Sequence, residues 1–529
     1  MALFVPALLA IAGVISAPQQ QGPPQGFPGE VPGGGFQGRQ GGRQRPTATP
    51  PDGAAGQTPT AAAPMIEIRT SASHHTISLP SGPVSYTATA EQIPLRNENG
   101  EVECRMFCVG YTKDSADAHT RPVTFAFNGG PGSATMWLHM GALGPKRAPM
   151  NDDGSLPMPP YEAVDNMDTW LDFTDVVVID APGTGFSRIA RPDLASKYFG
   201  VQPDINAFTT FVRNWLTTHK RWRSPMFIAG ESYGGIRGSG LSNSLFHAGI
   251  ALNGFVSISG TSNFMTLDGM RGNDSPYIGF LPSMAACAWY HHKLAKRFTD
   301  AGSVVKEVQN WIDKEYASAL QRGDSLSDAE KEHVAEKLSE YLGISKEYCL
   351  GSNLRITERQ FFRELLRKEG LMIGRYDGRL TGKEELQVGE RGSGDPTDDA
   401  TTAPFTTALN DYLETDLGVS TDIPYLNSGN VRPWTEPEGS YAETASELRN
   451  TLARNQHFRV LYCCGYFDLA CPLNATMYTV NHMGLDHESR SHISFQYYPA
   501  GHMMYIEKSS RHKLHDDVRA FEADCLAGK

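Results

Sequence analysis

The chain has 529 residues, of which 40% are hydrophobic and 20% are charged, a balance that is ordinary for a globular enzyme. This length suits one large domain with an insertion, or two to three ordinary domains. The formal net charge is −12, and such an acidic surface exerts no long-range attraction on nucleic acid or anionic lipid. Both are therefore excluded as default partners.

The chain begins with an apolar segment of the kind that directs export. Met1 to Ser16 reads MALFVPALLAIAGVIS, which is too short to cross a bilayer comfortably, and a small residue, Ala17, follows it. No Lys or Arg precedes this run, since the first basic residue is Arg39. The segment predicts a signal peptide at 1–16 and a secreted or periplasmic protein. A weak membrane anchor and a misassigned start codon are the alternatives.

Residues 17–64 are rich in Pro, Gly, Gln, Ala and Thr. Such a segment buries too little apolar surface to offset its chain entropy, which predicts a disordered linker. Beyond it, apolar and polar residues alternate from Val84 to Ala90, which predicts a half-solvated edge strand.

Short continuous apolar runs follow, and they are typical of strands buried on both faces of a mostly parallel sheet. These runs are Val123–Phe127, Val176–Ile179, Met226–Ala229, Phe255–Ile258, Val460–Cys464 and Ile493–Tyr498. Helix-like stretches such as 207–219 lie between them. This alternation predicts an α/β fold, with a mostly parallel central sheet flanked by helices.

Residues 265–430 interrupt the alternation. Capping boxes at 327–330 and 357–360 each predict a helix start, and 304–319 reads as a further helix. The stretch 374–404 has a loop-like composition. We therefore expect a largely helical insertion, or cap, at 265–430.

The insertion divides the predicted core into a first part at 65–264 and a second part at 431–529. Eight cysteines are too few for a disulfide scaffold. Cys104 and Cys108 share one predicted strand, about 13 Å apart, which is too far for a bond. A bridge between Cys287 and Cys349 and buried free thiols are both compatible with the sequence.

Three segments carry candidate chemistry, and the first is NGGPG at 128–132, directly after the predicted strand 123–127. Glycines let the backbone approach a ligand closely, and their N–H groups can stabilise an anion. A tight turn is the plain structural alternative. The position after an early core strand favours an oxyanion donor.

The second segment is GESYG at 230–234, directly after an apolar strand and before a helix-compatible stretch. This is the pattern of a nucleophile elbow, a tight turn that exposes the hydroxyl of Ser232. The backbone N–H of Tyr233 then faces the oxyanion.

The third candidate is a pair of separate segments that supply an acid and a base, which follow the serine in this chain order in α/β-hydrolases. Asp468 follows the strand at 460–464 and His502 follows the strand at 493–498, at the sheet edge where α/β proteins place chemistry. The chain has 16 histidines, but His502 is distinguished by its Pro-Ala-Gly turn. His139, His482, His487 and His492 lack that setting and show no metal-ligand spacing, so we expect no metal and no cofactor.

Together these segments resemble the serine carboxypeptidase family, in a bacterial-like member. The matching motifs are NGGPGS at 128–133, DAPGTGFS at 180–187, GESYGG at 230–235, DLACP at 468–472 and GHM at 501–503. They occur in the family's order and cover about 120–505. The resemblance implies the α/β-hydrolase fold and a serine-type carboxypeptidase that acts on peptides with a free C-terminal carboxylate.

The resemblance also implies a role for each matching residue. Ser232 would be the nucleophile, His502 the base, and Asp468 the residue that orients it. The backbone N–H groups of Gly130 and Tyr233 would form the oxyanion hole.

Substrate binding is implied for a further set of residues. Asn128, Gly129 and Glu231 would hold the terminal carboxylate, and Met503 would line the leaving-group pocket. An ionised Glu231 would repel a carboxylate, so it must be protonated to bind it. Because desolvation raises a carboxyl pKa, we expect better peptide cleavage at acid pH than at neutral pH.

The sequence departs from the family pattern at several positions. Ala126 stands where Trp is frequent, Ser133 where Cys is frequent, and Ala142 where a second Glu supports the carboxylate-binding Glu. His139 is an alternative partner for Glu231, although a packed structural histidine is the simpler interpretation. Met504-Tyr505 replaces the frequent Val-Pro, with no clear consequence for the chemistry.

Three functions compete on this scaffold. An exopeptidase is the main interpretation, and an acyltransferase or esterase is the alternative, because fold does not fix function. A non-catalytic binding protein is disfavoured by the intact motifs. For DAPGTGFS, a structural turn and a pocket role are both open. Asp395, Asp398 and Asp399 read as solvated loop acids, since no ordered calcium-ligand spacing is visible.

Overall fold

The computed structural model describes residues 67–528, apart from 385, 387, 390–393 and 438–439. The predicted signal peptide at 1–16 and the predicted linker at 17–64 lie outside the described residues. The described residues all belong to one unit, Ala62–Lys529. No helix among them is both long enough and apolar enough to cross a membrane.

A ten-stranded sheet forms the centre of the fold, and two small two-stranded sheets accompany it. The strands in chain order are β1 Ser71–Leu79, β2 Gly82–Arg96, β3 Val102–Lys113, β4 Val123–Phe127, β5 Lys146–Arg147, β6 Val164–Asp165, β7 Asp175–Ile179, β8 Arg188–Ile189, β9 Met226–Glu231, β10 Gly254–Ile258, β11 Leu371–Ile373, β12 Thr381–Lys383, β13 Arg459–Gly465 and β14 Ile493–Tyr498.

The central sheet has the order β1-β2-β3-β7-β4-β9-β10-β13-β14, and β8 pairs with β3. From β7 to β14 all neighbouring strands are parallel, whereas β1, β2 and β3 extend the sheet with antiparallel pairs. Strands β4, β7, β9 and β10 are buried along their full length. Their continuous apolar sequences follow from this position, because helices cover both faces. The predicted mostly parallel α/β sheet is confirmed.

Two predictions about strand position are wrong. The strand at 84–90 lies within β2, which is covered by β1 and is therefore not an edge strand. The run at 493–498 forms β14, which ends the sheet and is only partly buried. Phe495 of this strand stacks on Tyr462 of β13, a cross-strand contact that stabilises the edge. An apolar run alone does not distinguish a central strand from such an edge strand.

Helices cover both faces of the sheet and form most of the insertion. In chain order they are α1 Met136–Leu138, α2 Ala195–Tyr198, α3 Val201–Thr218, α4 Gly234–His247, α5 Ser275–Tyr290, α6 Ala301–Trp311, α7 Ala317–Arg322, α8 Asp328–Leu342, α9 Lys346–Gly351, α10 Glu358–Glu364, α11 Pro396–Thr415, α12 Ala445–Arg454, α13 Leu473–Asn481, α14 His487–Ser491 and α15 Lys508–Leu526.

The two faces of the sheet bury separate hydrophobic clusters. Residues of α3, α4 and α12 pack on one face, where Phe125 and Phe127 of β4 point. Residues of α11 and α15 pack on the other face, where Ala126 of the same strand points. The alternation of side chains along a strand produces this division.

The segment between β10 and β13 is mostly helical, as predicted for the insertion. Both capping boxes are present, with α8 beginning after Ser327 and α10 after Thr357. The predicted helix at 304–319 corresponds to α6 and α7, joined through one π-helical turn at Ile312–Tyr316. The boundaries of 265 and 430 stay predictions.

The loop predicted at 374–404 is wrong in part. Residues 371–383 form the hairpin of β11 and β12, and α11 begins at Pro396. Asp395 caps that helix by accepting from the N–H of Thr397, and Asp398 and Asp399 lie in its first turn. These three acids are therefore not loop residues, and helix capping accounts for Asp395.

All eight cysteines are free and buried, including Cys287 and Cys349. Burial raises the pKa of these thiols, which keeps them protonated and apolar in character.

Candidate active site

The elbow that carries Ser232 joins β9 to α4 by a strained turn. Ser232 has a φ of 62°, a left-handed conformation that costs about 1–3 kcal/mol unless the surroundings enforce it. Two backbone hydrogen bonds do so. The Ser232 N–H donates to the carbonyl of Ile258 (3.1 Å), and its own carbonyl accepts from the N–H of Gly235 (2.8 Å). The turn therefore holds the serine where the sequence predicts it, at the end of a central strand.

The glycine loop after β4 lies directly against this elbow. A side chain on Gly129 would place its Cβ 2.4 Å from the backbone nitrogen of Tyr233, so only glycine allows the approach. The backbone N–H groups of Gly130 and Tyr233 donate no hydrogen bond to any group in the described part of the chain. Two donors are thus brought near Ser232 and left available for a substrate oxygen.

A buried ion pair that the sequence did not predict contacts the start of the glycine loop. Arg237, one turn after Ser232 on α4, is fully buried and pairs with Asp204 (2.7 Å). Its guanidinium also donates to the carbonyl of Asn128 and lies over the ring of Phe208. No motif marked Arg237, because its contacts are with Asp204 and Asn128, which are distant from it in the chain.

The DAPGTGFS segment at 180–187 holds the residues that follow the glycine loop. Asp180 accepts a hydrogen bond from the backbone N–H of Thr135 (2.9 Å) and another from the hydroxyl of Tyr425 (2.9 Å). Burial raises the pKa of Asp180 to about 6. Thr135 in turn accepts from the N–H of Asn128. These contacts favour the structural turn over the pocket role for this segment.

The acid and the base meet at the ends of β13 and β14. Asp468 Oδ2 lies 2.9 Å from His502 Nδ1, and Asp468 Oδ1 accepts from the N–H groups of Ala470 (2.7 Å) and Cys471 (2.9 Å). The aspartate therefore orients the proton to Nδ1 and leaves His502 Nε2 free to accept one. The side chain of Ser232 lies near that of Cys471, which places the serine close to the same loop.

Opposing influences act on the pKa of His502. Burial alone would lower it, but the charge and hydrogen bond of Asp468, with a contribution from Glu231, raise it above the usual value. The imidazolium that forms when His502 takes a proton is thus stabilised by its surroundings.

A further element that the sequence did not predict contacts the loops that carry Asp468 and His502. The hairpin turn, residues 374–380 between β11 and β12, accepts from the N–H of His502 at the carbonyl of Tyr376 (2.6 Å). It also accepts from the N–H of Leu469 at the carbonyl of Arg375 (3.0 Å), and the ring of Tyr376 lies 5.3 Å from that of His502. A loop-like composition conceals this contact, since it uses backbone groups.

Glu231 precedes the serine and points into the same region. Its side chain is buried, and its Oε1 lies 4.0 Å from His502 Nε2. Burial raises the pKa of Glu231 to about 7, against the lowering influences of His502, Tyr505 and Asn128. The amide of Asn128 is oriented for this contact, because its Oδ1 accepts from the N–H of Leu138 (2.9 Å).

The partner of Glu231 is Tyr505, whose hydroxyl donates to Glu231 Oε2 (2.7 Å). No chemical consequence was predicted for Met504-Tyr505, and the one indication in the sequence was its departure from Val-Pro. His139 is not the substitute partner, since its Nε2 lies 2.6 Å from the hydroxyl of Tyr111. Burial lowers the pKa of His139 to about 3, which agrees with a packed structural histidine.

Met503 is buried in the hydrophobic cluster on the α11 and α15 face of the sheet. It directly follows His502 in the chain. The described residues therefore bring Ser232, Asp468, His502, Glu231 and Asn128 into one connected region.

Comparison with known proteins identifies the relatives of this arrangement. A family model described as serine carboxypeptidase matches residues 97–509. No curated protein matches the chain. Among solved structures, Kex1(delta)p, a prohormone-processing carboxypeptidase from Saccharomyces cerevisiae, is 17% identical, with 83% of this chain and 92% of that chain covered and a TM-score of 0.52. A proline iminopeptidase from Mycobacterium smegmatis is 14% identical over 83% and 100% of the chains, with a TM-score of 0.38.

Proposed function

The chain belongs to the serine carboxypeptidase family and is a serine-type carboxypeptidase of the α/β-hydrolase fold, and we propose that Ser232, Asp468 and His502 are its catalytic triad. In the proposed acylation, Ser232 Oγ attacks the carbonyl carbon of the last peptide bond while His502 Nε2 accepts the hydroxyl proton. The N–H groups of Gly130 and Tyr233 donate to the oxyanion.

Collapse of the tetrahedral intermediate breaks the C–N bond, and the proton on His502 passes to the departing amine. The C-terminal amino acid leaves, and the remaining peptide stays as an ester on Ser232. Water then attacks this ester, and its proton passes to His502 and back to Ser232 Oγ. Asp468 keeps His502 in the required tautomer throughout.

The observation that supports an exopeptidase best is the position of Glu231 beside His502. The terminal carboxylate carbon of a substrate lies two bonds, about 2.5 Å, from the scissile nitrogen. That nitrogen must lie within reach of His502 Nε2, and Glu231 Oε1 is 4.0 Å from the same atom. A protonated Glu231 and the Asn128 amide are therefore close enough to bind the carboxylate of the residue that directly follows the scissile bond.

The remaining contacts of the leaving amino acid are part of the same proposal. Gly129 offers its backbone to the terminal carboxylate, and Met503 lines the leaving-group pocket. The direct approach of Gly129 to the elbow and the burial of Met503 beside His502 support these roles.

Release of C-terminal amino acids from blocked dipeptides between pH 4 and pH 8 tests the proposal. Matched C-terminal amides and simple esters run alongside, with Ser232→Ala as the control. We expect release from free-carboxylate peptides, little release from amides, and none by the variant. Cleavage of esters alone would overturn the peptidase assignment and favour the alternative, an esterase or acyltransferase.

We also propose that this bacterial-like member is secreted or periplasmic. The apolar segment at 1–16 and the Pro- and Gly-rich segment at 17–64 support export. Fractionation with N-terminal sequencing tests this. A mature chain that starts at Ala17 in the exported fraction would support it, and a cytosolic chain that keeps Met1 would contradict it.

A further inference from the structure

The ring of Tyr505 is buried and is held in place by close packing. The residue lies in the short helical turn Met504–Ile506, immediately after the loop of His502, and its side chain is fully buried. Its ring packs on the backbone of Gly141, where an added Cβ would lie 2.2 Å from a ring carbon. Gly141 therefore provides the space for the ring, which directs the hydroxyl to Glu231 Oε2 at 2.7 Å.

The chemistry of a phenol decides what this contact can do. Burial and the neighbouring Glu231 raise the pKa of Tyr505 well above its usual value, so the hydroxyl keeps its proton. A neutral phenol donates one hydrogen bond, and Glu231 Oε2 accepts it. When Glu231 is protonated, its proton is then favoured on Oε1, the oxygen that lies near His502.

We propose that Tyr505 is a positioning residue that fixes the Glu231 carboxyl group with its proton-bearing oxygen toward the substrate's terminal carboxylate. This inference rests on the proposed function of Glu231. Tyr505 occupies the role for which the family resemblance implies a second Glu, and Ala142, next to Gly141, cannot fill it. Glu231 thus has a hydroxyl partner, Tyr505 packed on Gly141, in place of the carboxyl partner that the resemblance implies.

The replacement has a defined effect on pH dependence. Burial is the largest influence on the pKa of Glu231 and raises it. Among the groups that face Glu231, His502, Tyr505 and Asn128 lower its pKa, whereas the charge of Asp468 raises it. Cys471 also lies near, but its buried thiol stays neutral. Because Tyr505 donates to the ionised form, loss of its hydroxyl raises the pKa of Glu231. The pH above which peptide binding weakens therefore moves upward.

The test is Tyr505→Phe in the full-length protein, with KM and kcat measured from pH 5 to pH 8.5. The two substrates are a blocked dipeptide and an ester without a free carboxylate. We expect the peptide KM at pH 5–6 to rise about 2- to 13-fold, the range for one hydrogen bond, and its alkaline limb to move upward. The ester kinetics should stay within about twofold.

Tyr111→Phe is the matched control, since it removes a buried tyrosine hydroxyl from the same hydrophobic cluster without contact to Glu231. It should leave the ratio of peptide to ester activity unchanged. Glu231→Gln supplies the second readout, because glutamine does not titrate. In the Glu231→Gln background, Tyr505→Phe should therefore not shift the pH profile of the peptide KM.

Two results would overturn the inference. An unchanged peptide KM profile in Tyr505→Phe would show that the hydroxyl does not position Glu231, and equal losses for peptide and ester would show a merely structural role. Failure of the proposed function looks different, because the wild-type enzyme would then not distinguish free-carboxylate peptides from their amides.

Discussion

The two walls of the active site are built by different means. The core wall consists of the elbow at 230–234 and the glycine loop at 128–132, both at the ends of buried parallel strands. The insertion wall is the hairpin turn at 374–380, which holds the acid and base loops by backbone hydrogen bonds. Steric rules that act over a few residues shape the core wall, whereas contacts with distant segments hold the insertion wall.

This difference has a functional meaning. The core wall carries the groups proposed as the nucleophile, the oxyanion donors and the carboxylate-binding group. The hairpin turn supplies no group of that kind, but it sets the position of the loop that carries His502. Damage to the core wall should therefore affect folding, peptide binding or turnover, according to the group that is lost. Damage to the insertion wall should affect turnover of every substrate without a separate effect on peptide binding.

The largest effect is expected from the ion pair under the core wall. Arg237→Met leaves Asp204 buried without its partner, which should destabilise the protein by about 3–5 kcal/mol. Urea unfolding measures the change. Arg297→Met, which breaks an exposed pair with Glu307, is the control and should cost less than about 1 kcal/mol. Equal stability losses for the two variants would contradict the anchoring role of Arg237.

The insertion wall depends on an ion pair within the hairpin turn. Asp377 holds Arg379 (2.7 Å), whose guanidinium donates to the carbonyl of Pro499 (2.7 Å) shortly before His502. Asp377→Ala should loosen that loop and lower kcat about tenfold or more for peptides and esters alike, since a small misplacement of a catalytic group is costly. Steady-state kinetics with both substrates measures this. A change confined to the peptide KM would show that the hairpin turn acts on carboxylate binding instead.

The next effect concerns pH and separates the two walls. Glu231, with a pKa raised to about 7, is protonated below that pH and ionised above it. The peptide KM should therefore be lowest on the acid side and rise about tenfold for each pH unit above 7. Esters without a carboxylate should show no such rise, although both substrates lose kcat when acid protonates His502. A peptide KM that stays constant up to pH 8.5 would show that Glu231 does not bind the substrate carboxylate.

The smallest effect is expected at the start of α8, an exposed part of the insertion outside the hairpin turn that we call the outer insertion. Ser327→Ala removes one capping box and should cost about 1 kcal/mol of stability at the start of α8. Thermal unfolding and peptide kinetics should show a small loss of stability and unchanged kcat. A clear loss of kcat would mean that the outer insertion, and not only the hairpin turn, controls the catalytic loops.

Much of the core wall could be predicted from the sequence. The strands before Asn128, Ser232 and Asp468 are continuous apolar runs, and glycine-rich turns follow directly where the chain must bend sharply. The structure places Asp468 and His502 within hydrogen-bonding distance, as their positions after consecutive strands suggested. The edge position of β14 and the covered position of β2 were not predictable, because both depend on which strand lies beside them.

The sequence by itself determined the features that depend on residues close together in the chain: the α/β class, the central strands, the elbow and the helix starts at Ser327 and Thr357. Local sterics and side-chain periodicity control these features. Only the tertiary structure decided the partners of the active-site groups. Tyr505 reaches Glu231 across 274 residues of chain, and the hairpin turn reaches His502 across more than a hundred. Such contacts depend on how separate elements pack, and no local pattern encodes them.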